Sequence, residues 1–199
     1  ACQFVNDMFR GDMTAQVFNV GNVAVGDMVR VYDGRVEADL NPSAIRGSGL
    51  PYLNVCRLEY RIITKIVGDV VTFDLPLSKD YLQGSPWYGG IAKVLPVKNS
   101  HIHKMRVTYH NDQTSRNFHA SSINFAMNCT VRDCVFDGLG GAKGQMVRIS
   151  DSINAWGLRC SGSNPLYHES SEGYIFSNYK SDRSGYRHCI AAGGRHNYL

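Results

Sequence analysis

The feature that most constrains this chain is an apolar pattern that recurs through its second half. Ile102, Met105 and Val107 stand at offsets 0, 3 and 5. Val131, Cys134 and Phe136 repeat the pattern, and Ile153, Trp156 and Leu158 repeat it again. Val131 to Ile153 is a step of 22 residues, and Ile102 to Val131 is a step of 29, one such period plus seven residues of loop around 110–117. The next step falls on Ile175, where Asn178 and Lys180 break the pattern, and the one after falls beside Tyr198 and Leu199. A polar turn residue leads each repeat: Asn99, Asn128, Asp151 and Asn197. A repeat of this length, built from short strands and Asn/Gly turns, predicts a solenoid. The Leu and Asn framework of a leucine-rich repeat is absent. The expected fold is all-β, a right-handed parallel β-helix whose inward side chains stack from coil to coil, with Cys129, Cys134 and Cys160 as one candidate stack. An irregular β-sandwich with coincidental spacing is the alternative. Nothing shows helical periodicity for longer than roughly eight residues.

The first half reads as short strands. Val23 to Tyr32 is one candidate. Tyr60 to Leu75 holds two apolar runs separated by Gly68-Asp69, the signature of a hairpin turn. Val71, Phe73 and Leu75 alternate with Thr72 and Asp74, the period of a half-buried strand, and Pro76 ends it. Residues 33–55, rich in Gly, Pro and Asn, read as a loop. The expected organisation is therefore a β-rich entry region, 1–97, followed by coils over 98–199. A β-helix needs a cap over its last coil, and none is visible before Leu199. The chain is expected to be truncated, a fragment, or completed by other chains.

Composition narrows the function classes. With 43% hydrophobic residues, 19% charged and 20 Gly in 199 residues, this is a turn-rich β composition with enough apolar content for a core. The net charge of +4 is mild and no Lys/Arg run stands out, so no nucleic-acid partner is expected. No apolar run approaches the ~18 residues of a membrane-spanning helix, so no membrane insertion is expected. The six cysteines form no C-x-x-C pair and read mostly as buried free thiols, which suits assembly in a reducing cytosol. Residues Phe4, Val5, Met8 and Phe9 make no signal-peptide core.

Several segments together carry a resemblance. They are Val25-Gly26-Asp27-Met28-Val29, Glu59-Tyr60-Arg61, the run Ile66 to Leu77, and Asp80-Tyr81. The chain resembles the entry region of pectate-lyase-like β-helix proteins, particularly bacteriophage tailspikes and capsule depolymerases. Tyr186-Arg187-His188 and Gly194-Arg195-His196-Asn197 are similar to coil segments of that group. The resemblance runs from about Val20 to the end and rests on loose structural motifs. It implies a homotrimeric spike of the virion tail, made in the host cytoplasm and acting outside it, that binds and cleaves bacterial surface polysaccharide. Members of the group run to several hundred residues, so much of a β-helix would be missing here, and the active site with it.

Candidate residues follow from the chemistry. Glycoside hydrolysis needs two carboxyl groups, about 5–5.5 Å apart for retention or 6.5–9.5 Å for inversion. Asp133 with Asp137, Glu169 with Glu172, and Asp182 are the candidate catalytic carboxylates, the alternative being solvated carboxylates at turns. A lyase would need a base, and cations facing a uronic-acid carboxylate. Arg187, His188, Arg195 and His196 cluster to that end, or else tie down turns. Sugar C–H faces stack on aromatic rings, which nominates Trp87, Tyr88, Trp156, Tyr167 and Tyr174. Trp156 sits at a core offset, where burial competes with binding, while Trp87-Tyr88 reads as an exposed loop or an interface. His101-x-His103 puts two imidazoles on one strand face without a third ligand, so no metal and no cofactor are expected. The Gly-rich run at 138–144 lacks the ending of a phosphate loop and precedes a strand.

The expected function is a tailspike-like module that binds and cleaves bacterial surface polysaccharide, with hydrolysis ahead of elimination. A non-catalytic structural or receptor-binding segment of a virion is the first alternative. A bacterial polysaccharide lyase or epimerase of the same fold is the second.

Overall fold

The computed structural model describes residues 2–36, 56–84, 88–110, 119–139, 145–163, 174–179 and 181–192. These residues form strands, turns and bends, with no helix among them. Two compact units emerge, Ala1–Leu95 and Pro96–Leu199.

The first unit is an antiparallel sheet. Its strands are β1 (Cys2–Gln3), β2 (Thr14–Gln16), β3 (Met28–Val36), β4 (Cys56–Val67), β5 (Val70–Phe73) and β6 (Gly90–Val94), in the order β1-β6-β3-β4-β5-β2. Gly68 and Asp69 turn the β4–β5 hairpin, and Gly68 takes the left-handed φ of 55° that favours a residue without Cβ. One face of the sheet buries Phe4, Val17, Val29, Val31, Ile63, Val71, Phe73, Tyr81 and Ile91. The strand expected from Val23 starts only at Met28. Before it, Gly26 holds a φ of 87° and Asp27 Oδ2 accepts the Ala24 amide at 2.8 Å, which makes a turn. The expected loop over 33–55 is corrected at its first end only. β3 continues to Val36 through a register shift after Tyr32, and β4 starts at Cys56.

Glu59 and Arg61 of β4 are both buried and form an ion pair. Glu59 also accepts from the Tyr81 hydroxyl at 2.9 Å and the Ser78 hydroxyl at 2.8 Å. Arg61 donates to the carbonyls of Tyr60 at 2.7 Å and Pro76 at 2.8 Å. Burying two charges is costly, and these hydrogen bonds offset part of that cost. The pair thereby holds the 76–81 segment against β4.

The second unit contains three parallel sheets. Its strands are β7 (Val97–Lys98), β8 (His101–His103), β9 (Arg106–His110), β10 (His119–Asn124), β11 (Ala126–Arg132), β12 (Val135–Leu139), β13 (Gln145–Ser150), β14 (Ile153–Leu158), β15 (Ser161–Ser163), β16 (Tyr174–Tyr179), β17 (Gly185–Arg187) and β18 (Ile190–Ala192). One sheet joins β7 and β8 to β11, then β14, then β17; the second runs β9-β12-β15-β18; the third runs β10-β13-β16. From β8 to β18 successive strands fall to the three sheets in the same order, one circuit being three strands, while β7 and β8 both pair with β11.

Register gives the true repeat. Thr130 pairs with His101 before it and Trp156 after it, and Trp156 pairs with Gly185. The steps are 29, 26 and 29 residues, and the expected period of 22 is corrected. Val131 does match Ile102. Its partner on the following circuit is Gly157, however, and not Ile153. The column is thus Ile102, Val131, Gly157 and Tyr186, exposed at Ile102 and buried at the other three. A glycine at that place hides the repeat, and Tyr186 explains the glycine: a Cβ on Gly157 would lie 2.4 Å from Tyr186 Cδ1. The ring fills the vacant space and packs on Phe176, with centroids 4.9 Å apart. Ile175, where the 22-residue step pointed, lies on β16 in a different sheet, and Tyr198 lies outside the described residues.

Corners between sheets recur at the same register. Asn99, Asn128, Asn154 and Arg183 form one series of left-handed residues, and Lys104, Asp133, Arg159 and His188 form another, with φ between 48° and 57°. Phe125 and Asp151 begin a third. A residue in this conformation reverses the pleat and swings the chain to the next sheet at a modest steric cost, least for Asn and Asp. Asp151 therefore belongs to a different corner from Asn99 and Asn128, whose counterpart is Asn154.

At four corners the following residue carries a second regularity. Its amide is satisfied by a side chain one circuit on. Ser100 N donates to Cys129 Sγ at 3.4 Å, Ala126 N to Ser152 Oγ at 3.1 Å, and Ala155 N to Ser184 Oγ at 2.9 Å. Cys160 N donates to Cys189 Sγ at 3.4 Å. The accepting hydroxyl or thiol in turn donates to the carbonyl two residues before it, as Ser152 Oγ does to Ser150 O at 2.7 Å and Cys189 Sγ to Arg187 O at 3.4 Å. A small side chain ending in oxygen or sulfur meets both demands. Cys129, Cys134, Cys160 and Cys189 all stand at such places, buried as free thiols. The expected stack is corrected accordingly: Cys134, Cys160 and Cys189 share one corner, while Cys129 aligns with Ser100, Ala155 and Ser184. Cys160 is held well above the ordinary thiol range, first by its hydrogen bond with Cys189 and then by burial.

Candidate functional site

Side chains on a strand alternate between faces, so β8, β11, β14 and β17 present two columns to solvent. His101, Thr130, Trp156 and Gly185 share one register. His103, Arg132, Leu158 and Arg187 share the next. Asn128 and Asn154 flank them at the corner, with Asn154 Nδ2 donating to Asn128 Oδ1 at 2.9 Å.

Trp156 is the centre of this face. It is half-buried and points outward, which corrects its expected place in the core. The cause is the repeat length: Trp156 pairs with Thr130, an outward residue, and not with Cys134. Its indole N–H donates to Asn154 Oδ1 at 2.7 Å, and the Arg187 guanidinium lies over the ring, 4.2 Å from its centroid. That is cation–π distance, and both groups lose side-chain freedom in the stack. The ring's neighbour on β17 is Gly185, where a Cβ would make ordinary van der Waals contact with it, 3.7 Å from Trp156 Cζ3. At the other end of the column, His101 Nδ1 and Thr130 Oγ1 are 2.8 Å apart.

The expected catalytic carboxylates are arranged differently. Asp133 occupies a left-handed corner and receives two hydrogen bonds from Arg159, one circuit on. That contact holds its carboxyl below the ordinary range, aided by the charges of Arg159, Arg132 and Lys104. A general acid needs the opposite shift. Asp137 on β12 pairs with Arg106 on the preceding circuit, at 3.4 Å. The two aspartates thus lean toward opposite neighbours along the stack. Asp182 bridges to Ile153, and its carbonyl accepts the Asn154 amide at 3.0 Å. Glu169 and Glu172 lie outside the described residues.

Of the expected binding residues, Arg187 joins Trp156, and His188 is exposed at the following corner. Tyr88 is exposed in the first unit with a φ of 43°. Trp87, Tyr167, Arg195 and His196 lie outside the described residues. Sequence reasoning missed Arg132, Thr130 and Asn154 as members of the face. The 26-residue step from Thr130 to Trp156 is the signal that places them.

With this geometry, the chain superposes on three solved phage proteins. The tailspike gp49 of Pseudomonas phage LKA1 matches with a TM-score of 0.63 at 16% identity, over 98% of this chain and 31% of that one. The tailspike gp61 of Pseudomonas phage phi297 matches with a TM-score of 0.62 at 16% identity, over 96% and 30%. The fold is shared with phage tailspikes. Gp54, the tailspike of Acinetobacter baumannii bacteriophage AP22 in complex with A. baumannii capsular saccharide, matches with a TM-score of 0.50 at 10% identity, over 94% and 45%. The chain spans about a third of the length of the first two. No protein-family model matches it, and no curated protein sequence does.

Proposed function

We propose that this chain is part of a phage tail spike whose second unit is a right-handed parallel β-helix of the pectate-lyase-like type. Its role is to hold a bacterial surface polysaccharide on the outward face of β8, β11, β14 and β17. The rotation of the chain through three parallel sheets supports the fold. The observation that carries the function is Trp156, a large aromatic ring standing outward on a rigid sheet, its edge fixed by Asn154 and one face by Arg187. Sugar rings present C–H groups that stack on such a surface. Hydroxyl and amide groups from Thr130, Asn128 and Asn154 surround it, and a site on strands is positioned more firmly than one on loops. Binding is the better reading than cleavage, because Asp133 and Asp137 are each engaged by an arginine.

The test is a panel of purified capsular and O-antigen polysaccharides, with binding measured by calorimetry and products by mass spectrometry. Binding of one or more polymers, weakened at least tenfold by Trp156→Ala in a protein with unchanged circular dichroism, is expected. Failure to bind any polymer, or binding that Trp156→Ala leaves intact, would remove the site. Shortened products would add an activity: hydrated mass means hydrolysis, and loss of one water means elimination.

A further inference from the structure

We infer that the polysaccharide is acidic, with carboxylates held by Arg187 and Arg132. This rests on the binding face proposed above and specifies its ligand.

The face lacks acidic side chains among the described residues. The outward residues of β8, β11, β14 and β17 are His101, His103, Thr130, Arg132, Trp156, Leu158 and Arg187, with Asn128 and Asn154 at the corner. None is Asp or Glu. Among the described residues, the carboxylates next to these strands stand beyond their ends, at Asp133 and Asp182. Asp133 is already taken by Arg159, through two hydrogen bonds of 2.7 and 2.8 Å. Arg132 adds to the field that keeps Asp133 ionised, yet it makes no hydrogen bond to it among the described residues. Arg187 rests on Trp156, and no ion pair with a carboxylate is formed by it among the described residues. Both guanidinium groups are exposed.

The placement suits a repeating polymer. His103, Arg132, Leu158 and Arg187 share one column across four strands. Arg132 and Arg187 are two strands apart, roughly 9.6 Å at the usual strand spacing. Trp156 lies in the adjoining column, between them. A sugar ring stacking near Trp156 therefore has an arginine on either side along the column. Stacking on the indole also orders Arg187, so its N–H fork is presented with less entropy left to lose, and a planar fork matches a carboxylate in two parallel hydrogen bonds. A neutral glycan would leave this basic column without a counterpart.

The experiment compares polysaccharides that contain uronic or sialic acid with the same polymers after chemical reduction of the carboxyl to a primary alcohol. Dextran serves as the neutral control. Binding is followed by calorimetry and by fluorescence in a Trp87→Phe background, where Trp156 is the remaining tryptophan and reports any movement of Arg187. The expected result is binding of an acidic polymer, at least tenfold weaker after reduction and weaker in high salt. Arg187→Gln and Arg132→Gln should each cost about tenfold on the native polymer, and Arg187→Lys should recover only part of the loss. Equal binding of native and reduced forms, or binding of neutral polymers alone, would overturn the acidic assignment while leaving the glycan site standing. No binding by any polymer, native, reduced or neutral, would overturn both.

Discussion

Asp133 and Arg159 occupy the same corner on successive circuits, and Arg159 donates to both carboxylate oxygens, from Nε at 2.7 Å and from Nη2 at 2.8 Å. The contact sets a direction for the acid side of the stability curve. Asp133 titrates below its ordinary value of 3.8, chiefly because of that hydrogen-bonded guanidinium. A carboxyl whose folded pKa is depressed contributes stability above its unfolded pKa and loses it as pH falls through the folded value. The contribution is therefore complete at neutral pH and disappears below about pH 4. Carboxyl-carbon NMR should place the Asp133 midpoint below 3.8, and Arg159→Gln should return it to the ordinary range. An unchanged midpoint in Arg159→Gln would show that the contact has no hold on the carboxyl.

Ser152 tests the corner rule. It is fully buried, accepts the Ala126 amide at 3.1 Å and donates to Ser150 O at 2.7 Å. Ser152→Ala leaves a buried amide without its acceptor, at a cost of about 1–3 kcal/mol. Ser152→Cys should recover part of that loss, because thiols fill the equivalent role at Cys129 and Cys189. Urea unfolding measures both variants. A loss in Ser152→Ala no larger than that of an ordinary surface substitution would show that the acceptor contributes nothing.

These corners also explain what could be read from the residues alone. Asn99 and Asn128 announce turns because Asn tolerates a left-handed backbone, and Val131 announces its match to Ile102 because both are apolar. Arg159, Arg183 and His188 hold the same conformation without any compositional sign of it. Gly157 occupies a core register with no side chain to mark it, so a period of 22 fitted the apolar residues better than the steps of 26 and 29. In a register displaced by that period, Trp156 falls on the inward face. A displaced register exchanges inward and outward side chains, so the period of 22 hides Thr130, Arg132 and Asn154 as neighbours of Trp156. Asp133 and Asp137 look alike on paper as carboxylates at turns. Their separate arginine partners come from neighbouring circuits, 26 and 31 residues away, and no local motif contains them.

In the first unit, the buried pair of Glu59 and Arg61 predicts an asymmetry. Glu59→Gln leaves the Arg61 charge buried without its counter-charge, and breaking a buried pair in this way costs about 3–5 kcal/mol. Replacing both residues, as Glu59→Leu with Arg61→Met, removes the uncompensated charge and should cost less than Glu59→Gln. Hydrogen exchange at β4 amides reads the effect within this unit. A double variant less stable than the single one would show that the hydrogen bonds to Ser78, Tyr81 and Pro76 outweigh the charge balance.

Gly157 and Tyr186 provide the sharpest packing test in the second unit. A methyl group on Gly157 would meet Tyr186 Cδ1 at 2.4 Å, and the ring has little room to withdraw, being packed on Phe176 and tied through its hydroxyl to Val147 O at 3.1 Å. Gly157→Ala should therefore destabilise by about 1–3 kcal/mol, the usual range for overpacking. Tyr186→Ala opens a cavity and costs about 3–5 kcal/mol, the range for a buried aromatic ring. Combined, the two changes should cost less than their sum, because the new methyl occupies space the ring has vacated. Thermal and urea unfolding of the four proteins gives the coupling directly. Simple additivity would mean that Gly157 is not held small by Tyr186, and the glycine in this column would then need another cause.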